Sequence, residues 1–368
     1  MFAALPNSHV RTTTPTRFVA IDSLRFIAAM GVVAHHYSGF IDNPAIVSAL
    51  ARNYLFVDFF FAISGFVIFH TYADKLNGFA DYIDFLKNRI ARVYPLHLAT
   101  LVIFGFLALT IWRAKVDRSF VDSAAFLPNL FLTHAWGATN HTAFNYPSWS
   151  ISAEWFAYLV FPAVVWLIRR AGATAALVAA AVCVCALETA ENVGLIGRWT
   201  TLTYDYGALR AMPTFLAGAA IAHALAFMPL RLTSFTPTWL LFGAACVGMT
   251  IGLDDRVIIL LLVTCLLATV VAERDGARGL LTRPTMVRLG DYSYALYMLH
   301  PLVAILCIGL ASRLGLQLTG AALVAWCAFV ALVPNLVLAA LVYKGLETPA
   351  RRWLRNWRLW TPKRQVAP

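Results

Sequence analysis

"LRFIAAMGVVAHHYSG", residues 24–39, decides the fold class of this chain. The stretch is apolar enough to lie in a bilayer, where a spanning helix needs about 20 mostly apolar residues. It nevertheless carries Arg25 at its start and His35 and His36 near its far end. Charged groups in the bilayer core are costly, so they face a protein interior or a water-filled cavity. We therefore expect a membrane helix whose polar side chains face other helices.

The composition of the whole chain supports a membrane protein. Of the 368 residues, 60% are hydrophobic and 13% are charged, and the mean hydropathy is +0.71. A soluble domain carries about 25% charged residues. The formal net charge is +11, but the basic residues fall between apolar stretches, which indicates membrane topology and no nucleic-acid partner. The six cysteines lie in apolar segments without a CxxC pair, which predicts small buried side chains and neither a disulfide framework nor a metal site.

Ten apolar segments are predicted to cross the membrane. Their boundaries are 24–40, 54–70, 94–112, 148–168, 171–187, 207–228, 237–253, 257–272, 291–311 and 320–343. A further apolar piece at 124–136 is too short to span, and we expect it to be re-entrant or interfacial. If the N-terminus is cytoplasmic, 21 of the 29 Lys and Arg residues fall inside, as the positive-inside rule requires.

We therefore predict an all-α polytopic membrane protein with about ten transmembrane helices and cytoplasmic N and C termini. Residues 1–368 form a single domain with a core at about 17–355, a short N-terminal tail and a basic C-terminal tail. The N-terminal stretch lacks a continuous apolar core, so we expect no removable signal peptide.

The first segment places two ionisable side chains on one helix face. Arg25 and His36 are eleven residues apart, which is roughly three helical turns and about 16 Å. His35 points about 100° away. Each residue alone has a simpler explanation, because an arginine anchors a helix at the cytoplasmic face and a histidine forms hydrogen bonds between helices. The shared face favours a polar track instead.

Further polar residues lie in the second and third segments. Asp58 is a carboxylate inside the second segment and needs a partner. Ser64 and Gly65 follow it and allow another helix to approach closely. Arg89 and Arg92 lie three apart in "KNRIARVYPLH", on one side of a helix start. They indicate either cytoplasmic topology or an anion site, such as one for the phosphates of a nucleotide-like cofactor.

The fourth segment adds a second carboxylate. Ser150, Glu154 and Tyr158 are spaced by four residues and share one face. We expect Glu154 to enter from the outer side, beside Trp149 and Trp155, which suit an interface anchor or a wall for stacking a sugar.

The ninth segment carries His300, and Pro301 after it can leave a free carbonyl in the helix. Together these groups fit two classes of protein. One is a secondary transporter with Asp58, His36 and Glu154 as a proton relay, and the other is a membrane-embedded transferase. A non-catalytic scaffold would explain none of the buried charges.

Six motifs in order resemble the acyltransferase family 3 integral membrane proteins. They are "LRFIAAMGVVAHHY", "VDFFFAISGFVI", "RIARVYPLH", "SWSISAEWFAYLVFP", "SYALYMLHP" and "ETPARRW", and they span roughly residues 17–355. The chain resembles the stand-alone type of this family, which has no appended hydrolase-like domain.

The resemblance implies an inner-membrane enzyme that transfers an acyl group, by default acetyl, from cytoplasmic acyl-CoA to a hydroxyl of a glycan or lipid-linked saccharide. It implies His36, Arg25 and Glu154 as catalytic residues and places Arg89 and Arg92, with Arg25, on the donor phosphates. His36 would act as general base or carry the acyl group itself. A thioester donor already drives the transfer, so no metal is expected. The acceptor, its hydroxyl and the oligomeric state are left open.

Overall fold

The computed structural model describes residues 15–113, 122–309, 311 and 314–356, and every regular element within them is a helix. The prediction of an all-α protein is therefore confirmed. The α-helices are α1 Val19–Ser38, α2 Pro44–Leu50, α3 Phe56–Tyr72, α4 Phe79–Arg113, α5 Phe126–Leu130, α6 Trp149–Asn192, α7 Gly207–Ala224, α8 Thr236–Ile251, α9 Asp255–Arg274, α10 Pro284–Ala304, α11 Gly320–Val342 and α12 Thr348–Asn356. Wider π-type turns at Ile305–Gly309 and Tyr343–Glu347 follow α10 and α11.

Seven helical stretches among these residues are long and apolar enough to cross a membrane. They are Val19–Ser38, Pro44–Lys75, Phe79–Leu107, Tyr146–Asn192, Asp255–Arg274, Pro284–Gly309 and Gly320–Asn356. Each of the ten predicted segments falls on a helix, which fits a polytopic membrane protein. The number of crossings and the cytoplasmic placement of the termini stay predictions, and most of both tails lies outside the described residues.

The fourth and fifth predicted segments share the long helix α6, which is interrupted at Gly172, the second residue of the fifth segment. Gly172 has φ 75° and ψ −177°, a left-handed conformation that interrupts the helix just after Arg169 and Arg170. A glycine adopts this conformation without a Cβ clash. The helix backbone is therefore broken where the two segments meet.

The third segment begins earlier than its hydropathy predicts. Helix α4 starts at Phe79, whereas the apolar window starts at 94, because residues 79–93 are amphipathic and carry several charges. Arg89 and Arg92 therefore lie well inside a helix, and the prediction that they mark its start was wrong. The short piece 124–136 forms only the one-turn helix α5 and irregular turns.

The core is built where small residues let helices touch. A Cβ added to Gly218 of α7 would lie 1.9 Å from the carbonyl oxygen of Ala62, and one added to Gly65 of α3 would lie 2.0 Å from that of Phe215. Helices α3 and α7 therefore pack backbone against backbone, as Ser64 and Gly65 predicted. Gly290 gives α10 the same close approach to α1, at the carbonyl oxygen of Asp22.

The six cysteines are all free, as predicted. Cys265 and Cys327 are buried, but Cys185 is exposed on α6, so the expectation that all six are buried was wrong. An apolar surface position facing lipid accepts a cysteine as readily as a core position does.

Candidate active site

A cavity of about 470 Å³ opens between α1, α3, α4, α6 and α10. Sites for small molecules measure about 300–1,000 Å³. Seven of the residues singled out in the sequence line this cavity: Arg25, Ser64, Arg89, Arg92, Ser150, Glu154 and Tyr158. The fold thus brings together side chains from four helices.

Cationic side chains dominate one part of the cavity wall. Arg25, Arg89 and Arg92 are joined there by Arg351 of α12. Arg89 donates a hydrogen bond to the hydroxyl of Tyr72 at 2.7 Å and packs 4.8 Å from the centre of its ring. Several guanidinium groups that converge in this way suit an anion with several oxygens, such as a phosphate.

Two carboxylates hold parts of this basic wall in place. Asp22 lies 4.0 Å from Arg25 and accepts hydrogen bonds from Arg17 at 2.7 and 3.1 Å. The hydrogen bond to Asp22 raises the pKa of Arg17. The second carboxylate, Glu347, lies 3.6 Å from Arg351. Arg17, Arg25 and Arg351 are thereby each paired with a carboxylate.

Glu154 lies among these arginines. It accepts a hydrogen bond from the hydroxyl of Ser64 at 2.5 Å and lines the same cavity as Arg25. Ser150 and Tyr158 line the same cavity, as their spacing on one helix face predicted. The structure therefore places Glu154 in the same cavity as the arginines, and its approach from the outer side stays a prediction.

His36 lies next to His300, outside this cavity lining. Nδ1 of His36 is 2.9 Å from Nε2 of His300, and the two rings are nearly parallel, with an angle of 11° between them. Tyr146 packs 4.8 Å from the His36 ring, and its hydroxyl lies 3.3 Å from Nε2 of His300. His300 is completely buried, whereas His36 is partly exposed.

The cavity and the histidine pair are one helical turn apart. Tyr297 lines the cavity, and its backbone carbonyl contacts Nδ1 of His300 at 2.7 Å. The hydroxyl of Tyr297 shares a hydrogen bond of 2.8 Å with that of Ser150. The cavity is lined by Arg25 but not by His36, and Tyr297 of α10 contacts both the cavity and the histidine pair.

His35 has a different environment from His36. Its Nδ1 lies 3.0 Å from the carbonyl oxygen of Leu50 at the end of α2, and its ring is 6.0 Å from that of Tyr54. His35 thus ties α1 to the α2 region, and His36 alone of the two contacts His300.

Asp58 lies outside the cavity, in a buried ion pair. Its carboxylate accepts two hydrogen bonds from Arg210 of α7, at 2.6 and 3.1 Å, and both side chains are at most 1% exposed. The Arg210 guanidinium also lies 5.1 Å from the Trp149 ring and 5.5 Å from the Tyr54 ring. Trp149 is therefore part of the core in this structure and not part of a sugar-binding wall.

Sequence reasoning missed several residues of the site. Arg351 lies in "ETPARRW", a motif recognised without a role for its first arginine, and Tyr297 lies in "SYALYMLHP". Arg210 is 152 residues from Asp58, and His300 is 264 residues from His36. No local periodicity reveals pairs so distant in sequence.

Comparison with known proteins gives one family. A family model described as an acyltransferase domain matches residues 18–344. Acyltransferase MdmB from Streptomyces mycarofaciens is 29% identical over 314 residues, which cover 78% of this chain and 79% of that protein. Protein 2 in picA locus from Rhizobium radiobacter is 40% identical over 92 residues, which cover 25% of this chain and 46% of that protein. No solved structure matches the chain.

Proposed function

This chain belongs to the acyltransferase domain family, and on that premise we propose that it moves an acyl group, by default acetyl, from acyl-CoA to a hydroxyl of a glycan or lipid-linked saccharide. We place this reaction in the bacterial inner membrane, with the donor on the cytoplasmic side. The observation that carries the proposal is the convergence of Arg25, Arg89, Arg92 and Arg351 on one cavity.

The donor end of the proposed site is the basic wall. Coenzyme A carries phosphate groups at one end and the thioester at the other, so the guanidinium groups that line the cavity suit the phosphates. Arg25 and His36 are eleven residues apart on α1, which is about 16 Å of helix rise. An extended pantetheine arm is long enough for that distance, and it would have to pass Tyr297 to reach the histidines.

The chemical step is centred on His36. In one route His36 takes the proton of the acceptor hydroxyl, the oxygen attacks the thioester carbon, the C–S bond breaks and the proton passes to the departing thiolate. In the other route a ring nitrogen of His36 attacks the thioester carbon first, the C–S bond breaks and the thiolate departs, which leaves an acyl-imidazole. The acceptor oxygen then attacks the acyl carbon, the bond from that carbon to the imidazole nitrogen breaks, and the hydroxyl proton passes to the thiolate. Both routes need an unprotonated ring nitrogen on His36. Glu154, held by Ser64, balances the charge of Arg25 beside the donor.

The alternative is a proton-coupled transporter that uses Asp58, His36 and Glu154. Its main weakness is Asp58, which is closed off in the ion pair with Arg210 and does not line the cavity. A relay through that carboxylate would first have to break two buried hydrogen bonds.

Mass spectrometry of cell-surface glycans tests the proposal, because it detects an added acyl group whichever glycan accepts it. We expect an acyl-sized mass increment in cells that express the wild-type chain and none in cells without the gene. The double variant Arg89→Ala/Arg92→Ala should lose the increment, whereas Arg170→Ala, an exposed arginine outside the cavity, should keep it. Unchanged glycans together with gene-dependent solute uptake would refute the proposal in favour of the transporter.

A further inference from the structure

Pro301 interrupts the hydrogen bonding of α10 beside the histidine pair. In a regular helix the N–H of residue 301 would donate to the carbonyl of Tyr297. Residue 301 is a proline inside α10 and has no N–H to donate. Nδ1 of His300 lies 2.7 Å from that carbonyl oxygen. The side chain of His300 therefore supplies the hydrogen bond that Pro301 cannot make.

This contact fixes the protonation pattern of His300. A carbonyl oxygen only accepts hydrogen bonds, so Nδ1 of His300 must carry a proton. A neutral imidazole has one N–H and one lone pair, and a completely buried imidazole is disfavoured as a cation. The lone pair of His300 therefore lies on Nε2, as assigned from its partners. The Tyr146 hydroxyl, 3.3 Å away, can donate to the same nitrogen.

The protonation of His300 determines which nitrogen of His36 carries a proton. Nε2 of His300 accepts, so Nδ1 of His36, 2.9 Å away, must donate. A neutral His36 then carries its lone pair on Nε2. Among the described residues no hydrogen-bond partner faces Nε2 of His36, and this ring, unlike that of His300, is partly exposed.

We propose that His300 is a positioning residue that holds His36 in the tautomer whose Nε2 is free to take a proton or an acyl group. It does for His36 what a carboxylate does for the histidine of a Ser-His-Asp triad, but without a charge in the bilayer. When Nε2 of His36 takes the hydroxyl proton, Nδ1 keeps its own proton, and the lone pair of His300 stabilises the imidazolium. The hydroxyl proton then leaves with the thiolate, and His36 returns to its starting tautomer. This inference rests on the proposed function.

Kinetics of the full chain in proteoliposomes test the proposal. His300→Leu should lower kcat by about 100-fold or more, because general-base catalysis contributes about 10²–10⁴-fold. The KM for acetyl-CoA should stay within about twofold, since the donor's phosphates bind elsewhere. His300→Gln retains an acceptor oxygen near the position of Nε2 and should recover to within about tenfold of wild type. His223→Leu is the control and should match wild type, because His223 of α7 packs against Phe69 and Phe227 and away from the histidine pair.

Two results would overturn the proposal. One is a wild-type kcat in His300→Leu. The other is a His300→Gln variant that folds and inserts like wild type but is as slow as His300→Leu.

Nitrogen NMR separates this inference from the proposed function. The 15N shifts of the imidazole nitrogens distinguish protonated from unprotonated atoms in wild-type chain labelled with 15N-histidine in nanodiscs, and His36→Gln assigns the His36 signals. We expect a protonated Nδ1 and an unprotonated Nε2 on His36, and a mixture of tautomers in His300→Leu. The reverse pattern in wild type would refute the positioning role even in an active enzyme. If the proposed function is wrong, wild type transfers no acyl group, but the nitrogen shifts still report the tautomer of His36. The two failures can therefore be told apart.

Discussion

Removing the carboxylate of Asp58 should destabilise the protein without stopping its chemistry. The perturbation is Asp58→Asn, which keeps the shape of the side chain but leaves the guanidinium of Arg210 buried without a counter-charge. Arg210 is 1% exposed, so water cannot replace the lost partner. A structural ion pair predicts that the substitution lowers stability, whereas a proton relay predicts that it abolishes activity. The substitution therefore distinguishes the two roles.

The magnitude follows from the geometry. Two hydrogen bonds of 2.6 and 3.1 Å join the pair, and breaking a buried pair by removing one partner costs about 3–5 kcal/mol. At 1.4 kcal/mol per factor of ten, this lowers the ratio of folded to unfolded protein by about 150- to 4,000-fold. The double variant Asp58→Leu/Arg210→Met leaves no buried charge and should recover part of the loss. Recovery is incomplete because Arg210 also lies against the rings of Trp149 and Tyr54.

The reactivity of buried cysteine thiols measures the thermal unfolding of these variants. Cys265 and Cys327 are buried and free, whereas Cys185 is exposed. A fluorogenic maleimide therefore labels the folded protein to a baseline, and the rise above this baseline reports unfolding as detergent-solubilised protein is heated. We expect Asp58→Asn to unfold at a clearly lower temperature, with the double variant between it and wild type. At low temperature, acyl transfer per folded molecule should be retained. A variant that is as stable as wild type but inactive would refute this reasoning and identify Asp58 as a reacting group.

Two further predictions concern the donor site and the helix packing. Arg351→Ala should raise the KM for acetyl-CoA by about 10- to 150-fold, since a hydrogen bond to a charged group contributes about 1.5–3 kcal/mol. Arg352 is exposed on the same helix, so Arg352→Ala should leave this KM unchanged. Equal effects of the two substitutions in steady-state kinetics would show that only net charge matters. Gly218→Ala should destabilise the fold by about 1–3 kcal/mol, because its Cβ would lie 1.9 Å from the carbonyl oxygen of Ala62. Gly243→Ala is the control, with nothing within 4 Å of its Cβ, and equal thermal stability of the two variants would contradict the close contact of α3 with α7.

The sequence predicted what depends on neighbouring residues. Apolar length gave the helices, the spacing of four gave the shared face of Ser150, Glu154 and Tyr158, and Gly65 indicated a close helix contact. Each of these features follows from the local geometry of one helix. The start of α4 was missed because residues 79–93 form an amphipathic helix that a hydropathy window excludes.

Partner choice across the bundle could not be predicted in the same way. Asp58 needed a partner, but nothing local identifies Arg210 on α7. His36 was placed on one track with Arg25, yet its hydrogen-bond partner is His300 on α10. Pro301 did supply a signal, because its missing N–H predicts a free carbonyl, and the structure shows that the ring of His300 occupies it.

The most direct test of acyl transfer through His36 is the mass of surface glycans from three strains: wild type, a deletion of the gene, and the deletion complemented with His36→Gln. We predict an acyl-sized increment in wild type only, with the variant present in the membrane at the wild-type amount. A full increment in the His36→Gln strain would contradict the account.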